Sequence, residues 1–557
     1  MKVRWGRVAF GLFVVAFGCA LIGVLLAPQL SRQLADSGDT PPAATSAGYD
    51  RPASDGRATS TARSAVPTRA QAGDLKPFRV LTLQYTPYMA TLAHMAASGS
   101  MERYGYTLEL VDVYAEDVDL DEEGQCEAVR SGSYDALATT LDAVRKCGPG
   151  VAVGVPIGQS AGNDAIVAKA GIETWQGIFD HAIAFTGGSV SEYMACFASH
   201  TANAPIRVPV PSDDAAAAVD DWINSGVEQD IASVVAWEPE VERALAAVEG
   251  SHVILSSKDV RILWDVVEFS RLRMDADPAA FEAFTRAYYA SLLDLSSNPD
   301  AALDRILAWS DGDDARQALL TTEEAATFRA DLDREAFATL RDAAQLMEEK
   351  ATLRNRLEES AFYWRYCGAA VPDVPDLDTL IADTFVLAAR AEPALVGSAS
   401  ERPSAEVFQV TDYTNREAVS DDQIASARLI FETGVEIEFL PNRTDFRDAA
   451  AALGTLEDAV RFLRTCADCV LEVQGSSALP GAALARNQAS QTDADALAVA
   501  RGRKVHETLI QQFDVPAAQL RFIETAHARR FAGSTNEQEL RQDRRTYLTG
   551  YQLTGGL

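Results

Sequence analysis

The stretch Thr186-Gly-Gly-Ser-Val-Ser-Glu-Tyr-Met-Ala195 sets two glycines and two serines ahead of an apolar run, a loop that opens a helix. The first turn of a helix leaves up to four N–H groups without intrahelical partners and carries a partial positive charge, so it suits an anionic group. Ser189 and Ser191 can add hydroxyl donors to such a seat, or one of them can serve only as the N-cap, worth about 1 kcal/mol. Glu192 follows directly; it either opposes an anion or pairs with a cationic or amine-bearing ligand. Two further pairs stand at strand ends, where open α/β sheets place ligands: Thr139 and Thr140 close the apolar run ALATT, and Tyr85 and Tyr88 follow the opening strand. The tyrosines can stack on a ligand or hydrogen-bond to it. No His/Cys constellation or nucleophile–base pair accompanies these residues, so the expectation is a binding site, with no enzyme, metal or cofactor.

The elements that must position them alternate in period. FRVLTLQY (78–85) and TLELVDVY (107–114) read as strands; ATLAHMAASGSMERYG (90–105) has helical spacing and ends at Gly105; AIVAKA and AIAFTGG follow ALATT as apolar strands. Strands alternating with helices predict a largely parallel sheet and an α/β class. From 278 to 390 the pattern turns mostly helical, as in FEAFTRAYYASLLDL. Residues 31–75 and 391–425 are rich in small and polar residues and read as a tether and a linker, which leaves folded blocks at 76–390 and 426–557.

The chain of 557 residues carries 81 acidic against 49 basic side chains, a net charge of −32 that would repel a phosphate backbone and argues against nucleic-acid binding. Val8–Ala27 holds no charge over 20 positions, about 30 Å of helix and enough to cross a bilayer, with Lys2, Arg4 and Arg7 before it. Segment 1–30 is therefore expected as an uncleaved transmembrane anchor, with a cleaved signal peptide as the alternative, and the bulk of the chain is exported. Among seven cysteines, Cys126 with Cys147 and Cys466 with Cys469 are candidate structural bridges.

Several landmarks of the first block recur in order: VRSGSYDALATT, TWQGIFDHAIAFTGGSVSEYMACFA and VPSDDAAAAVDDWINSGVEQDIASVVAWEPE. Together they resemble the substrate-binding proteins of sulfonate, taurine and nitrate ABC transporters. The resemblance implies two α/β lobes joined by crossover strands, a small-molecule solute in the cleft (an anion such as a sulfonate being one class), and a permease or other envelope partner. It adds Trp237 and Glu238, at the family's W-E-P corner, to the ligand-binding candidates.

The second block resembles the OmpA-like peptidoglycan-binding domain. The motifs that carry this likeness are Gly475-Ser-Ser-Ala478, the helical run Ala494 to Val505, and Asp543-Arg-Arg-Thr546. In that family an aspartate and an arginine grip the zwitterionic end of a diaminopimelate side chain. The arginines carry over to Arg501 and Arg544; the aspartate falls on Ala478, with Asp493 and Asp495 as nearby substitutes. The whole is expected as a single-pass inner-membrane protein with its bulk in the periplasm, binding a solute in one domain and peptidoglycan through the other. The alternative is a scaffold linking membrane and wall around a vestigial cleft.

Overall fold

The computed structural model describes residues 75–553 apart from 116–117, 119, 226–229, 321–324, 396–406, 409–418, 467 and 487–489. The expected anchor at 1–30, nearly all of the tether and most of the 391–425 linker lie outside the described residues. Among the described residues, no helix is long and apolar enough to cross a membrane.

The first block builds two sheets. Strands β1 (Lys76–Thr82), β2 (Tyr106–Asp112), β3 (Ala136–Thr140) and β4 (Val151–Ser160) begin one sheet. The chain then crosses to a second, made of β5 (Asp164–Ala168), β6 (Ala182–Thr186), β7 (Val208–Ser212), β8 (Ile231–Trp237) and β9 (His252–Ser256). It returns through β10 (Trp264–Ser270) and later adds β11 (Glu335–Phe337). The first sheet has the order β11-β4-β10-β3-β1-β2 and the second β7-β6-β8-β5-β9. Pairs β1·β2, β1·β3, β6·β7 and β6·β8 are parallel; the crossing strands β5 and β10 run antiparallel to their neighbours. Strands β3, β4, β5 and β6 are buried along their whole length, which is why they read as unbroken apolar runs rather than alternating ones.

The helical region after residue 278 belongs to the first lobe. Phe281 and Phe284 pack on Phe78 with ring centroids 5.1 and 4.8 Å apart, and Phe281 meets Phe269 of β10 at 4.9 Å. This region is not wholly helical, because Glu335–Phe337 pairs with Gly158–Ser160 as an edge strand. Disulfides join Cys126 to Cys147 and Cys466 to Cys469, as expected; a third, Cys196–Cys367, ties the helix Val190–Thr201 to the end of the helix Ala351–Tyr366.

The C-terminal block is a four-stranded sheet of β12 (Arg428–Glu438), β13 (Cys469–Gly475), β14 (Leu520–Phe522) and β15 (Arg545–Gln552), in the order β12-β15-β13-β14. Only β13·β14 is parallel; the helices Ala449–Thr465 and Gln491–Phe513 accompany it. Gly475 and Gly502 bring β13 and the longer helix into backbone contact: a Cβ on Gly475 would stand 1.9 Å from the carbonyl oxygen of Ala498. The sheet docks on the segment between β9 and β10. Arg261 N donates to Thr465 O at 2.8 Å, and the Asp259 carboxylate accepts from Arg428 at 3.1 Å and from Gln552 at 3.0 Å. Arg461 lies 4.1 Å over the ring of Phe362, extending the contact to the helix Ala351–Tyr366.

Candidate functional site

A narrow cleft opens where the carboxyl ends of parallel strands from both sheets face each other. The first lobe supplies Leu83, Tyr85 and Tyr88 beyond β1, and Thr139, Thr140, Asp142 and Ala143 around the end of β3. Tyr114 and Glu122 come from the loop and helix after β2. The second lobe supplies Gly188, Ser189 and Val190 beyond β6 and Trp237 at the end of β8. The crossings themselves supply Asp164, the first residue of β5, and Asp265 of β10.

Local sequence explains each placement. Pro87 starts the helix Thr86–Ala97 with Tyr85 at its cap, so Tyr85 and Tyr88 share a face three residues apart and meet edge to face at 4.8 Å. Thr140 ends β3 and caps the helix Leu141–Cys147, which sets Asp142 in that helix's first turn. Gly188, at φ 75°, turns the chain into the helix Val190–Thr201.

The electrostatics are acidic. Tyr88 Oη donates to Asp265 Oδ1 at 2.5 Å, and Ser160 Oγ donates to Asp164 Oδ2 at 2.5 Å. Both oxygens of Asp142, only 2% exposed, lie outside hydrogen-bond geometry to any donor, with Thr140 and Trp364 beside them, and Asp265 lies against Glu335. Burial pushes Asp142 up to about 6 and Asp164 up to about 7. Glu122, facing the cleft, is likewise raised by burial to about 7. Asp265 is raised by burial and by the charge of Asp164, with hydrogen bonds to Tyr88 and Glu335 pulling the other way; Glu335 is raised by burial and by Asp265. The nearest ammonium, that of Lys146, donates to Gly188 O at 2.7 Å and lies 4.6 Å over the Trp364 ring.

Of the residues singled out from the sequence, Tyr85, Tyr88, Thr139, Thr140, Ser189 and Trp237 come together on this wall. Ser191, Glu192 and Glu238 do not line it. Ser189 Oγ accepts from Ser191 N at 3.1 Å and donates to Thr186 O at 2.9 Å, and Glu192 Oε2 accepts from Gly188 N at 2.6 Å. Two amide hydrogens at the head of this helix are thus held by the protein's own side chains. Glu238 pairs with Arg334 at 3.2 Å and accepts from Glu242 N at 3.1 Å, so it caps the next helix. Sequence reading missed Tyr114, Glu122, Asp142, Asp164 and Asp265. The last two carried a signal: a lone carboxylate in a strand otherwise apolar, as in NDAIVA and WDVVEF, needs a reason to be there.

In the C-terminal domain Arg501 is 1% exposed and faces inward. Its guanidinium donates to the carbonyls of Arg443 at 3.0 Å, Ser476 at 3.2 Å and Leu440 at 3.0 Å, and burial lowers it to about 10. Arg544 is clasped by Glu537 through both terminal nitrogens. Of the substitutes for the missing aspartate, Asp495 pairs with Arg529 at 2.6 Å, and Asp493 caps its own helix with Ser490.

No family model matches the chain, and no curated protein matches it. Among solved structures it is similar to the periplasmic aliphatic sulphonate binding protein SsuA from Escherichia coli, at 14% identity over 56% of this chain and 99% of that one, with a TM-score of 0.42. It is similar to the alkanesulfonate-binding protein SsuA from Xanthomonas axonopodis pv. citri, at 12% identity over 54% of this chain and 96% of the other, TM-score 0.40. A sulfonate-binding SsuA from Methylobacillus flagellatus matches at 14% identity over 58% of this chain and 96% of its own, TM-score 0.40.

Proposed function

We propose that this chain is a solute-binding protein that holds a small molecule between its two lobes. The observation that carries this reading is the cleft itself, bounded by both sheets and both crossings, with aromatic residues and a few buried polar groups on its wall. The order of sequence landmarks supports the same reading, that of a periplasmic binding fold serving a transporter or another envelope partner. Closure of the lobes on the ligand is the response such an architecture makes, since only tighter binding to one arrangement can drive it. Native mass spectrometry of the full-length chain, purified gently in detergent, tests this directly. A stoichiometric adduct of small-molecule mass is expected; an empty protein that no solute panel stabilises would sink it.

The anionic class of solute implied by the sequence resemblance does not suit this wall. The amides of Gly188 and Ser191 are occupied, and Glu122, Asp142, Asp164 and Asp265 face the space.

The envelope setting belongs to the same proposal: an inner-membrane anchor at 1–30, a periplasmic bulk, and a C-terminal domain that meets peptidoglycan. The sheet order β12-β15-β13-β14 with its two helices supports an OmpA-like reading of that domain. Wall contact would run through Arg544 exchanging Glu537 for a ligand carboxylate, because Arg501 is enclosed. Co-sedimentation of the full chain with purified sacculi, lost in Arg544→Ala, is the expected result. A protein that stays in the supernatant would leave the domain with a protein-docking role, which its seat on Asp259 and Arg261 favours.

A further inference from the structure

We infer that the solute is an organic cation, a primary amine or a quaternary ammonium ion, bound between the carboxylates and the aromatic faces of the cleft; this rests on the solute-binding reading above. Glu122, Asp142, Asp164 and Asp265 line the space, and among the described residues no lysine or arginine does. Lys146 stands behind Gly188, where its charge acts on Glu122 and Asp142.

Acidity alone would not make a site. The decisive feature is Asp142, 2% exposed, on the wall, with neither oxygen within hydrogen-bond geometry of a donor, although Thr140 and the Trp364 indole stand beside it. A buried carboxylate without a partner is costly, and a fold keeps one where a ligand completes it. Tyr85, Tyr88 and Trp237 add π faces, whose negative potential attracts a cation and disfavours an anion. Among the described residues no three His, Cys, Asp or Glu side chains converge closely enough to hold a metal ion. The four carboxylates are instead spread around the cleft wall.

The test uses the full-length chain in detergent at about 150 mM salt, to screen the acidic surface. Probes are choline and putrescine against taurine and methanesulfonate, read by thermal shift and titration calorimetry. Choline or putrescine is expected to raise the melting temperature by several degrees at a large excess over its Kd. Asp142→Asn, which keeps shape and removes charge, is expected to weaken that binding by about tenfold or more, since it removes a charge partner of the cation. Asp300→Asn, in a surface pair with Arg329, is expected to leave binding unchanged. Cation binding undiminished in Asp142→Asn would place it on the outer surface and overturn the inference. Stabilisation by the sulfonates alone would also overturn it while leaving a solute-binding protein. No response to any probe, with no retained adduct, would remove the solute-binding reading and the inference together.

Discussion

Asp142 in the interlobe cleft and Arg501 in the C-terminal domain are equally buried, yet their surroundings are opposite. Arg501 sends hydrogen bonds to three backbone carbonyls, from Leu440, Arg443 and Ser476. Asp142 has none. A buried charge whose hydrogen-bonding capacity is met from within serves the fold; one left open serves something not yet bound. Burial by itself does not separate structure from site; an unmet group that also lines a cleft, as Asp142 does, is the candidate for a ligand contact.

The largest effect expected from this contrast is at Arg501. Arg501→Met strands three carbonyls and should destabilise the C-terminal domain by about 3 kcal/mol or more, measured by denaturant unfolding followed through that domain's hydrogen exchange. A loss well under 1 kcal/mol would mean water replaces the guanidinium and the contrast is weaker than drawn. Next is Gly475→Ala, whose Cβ would collide with the Ala498 carbonyl; overpacking of this kind should cost about 2 kcal/mol in the same domain and leave cleft ligands unaffected.

The pH dependence follows from the raised carboxylates. Asp142 is pushed to about 6, and Glu122 and Asp164 to about 7. The folded protein therefore holds protons that the unfolded chain has already released. The contribution of these groups to stability falls as pH rises from about 4, where unfolded carboxylates titrate, through those folded values. Bound choline reverses the slope, because it favours the ionised forms. Its affinity should drop by up to about tenfold per pH unit, about 1.4 kcal/mol, on acidifying below 7. A pH-independent Kd would separate the ligand from these carboxylates. Asp142→Asn relieves the open charge and should stabilise the unliganded protein by about 1 kcal/mol at pH 8, in a thermal melt without ligand. The smallest effect is at Glu192. Glu192→Ala frees the Gly188 amide and removes a first-turn acid, costing about 0.5–1 kcal/mol in the melt.

Much of the frame was legible in the sequence because it obeys local rules. FRVLTLQY and TLELVDVY became β1 and β2 within a few residues, and the helix after Tyr85 began earlier than its apolar period implied, at Thr86, because Pro87 fits a first turn. Ser189 capped its helix as its type predicts. What escaped depends on chain crossings. Asp164 and Asp265 are about 100 positions apart and meet only because β5 and β10 leave and re-enter the two sheets at one place. The Cys196–Cys367 bridge spans 171 positions, beyond any spacing rule. Glu335 reached β4 as a three-residue strand inside a helical region, too short to show a period. Arg501 was read as a wall-binding arginine; its position on the helix was right, but only the loop at Leu440–Arg443, folded back over it, decides where its guanidinium points.

The segment between β9 and β10 has a mechanical consequence. Any rotation of one lobe against the other must twist this strap, and the strap is held from outside by Thr465, Arg428 and Gln552. A lobe rotation that twisted this strap would therefore carry the C-terminal sheet with it, and a pull on that sheet would load the strap.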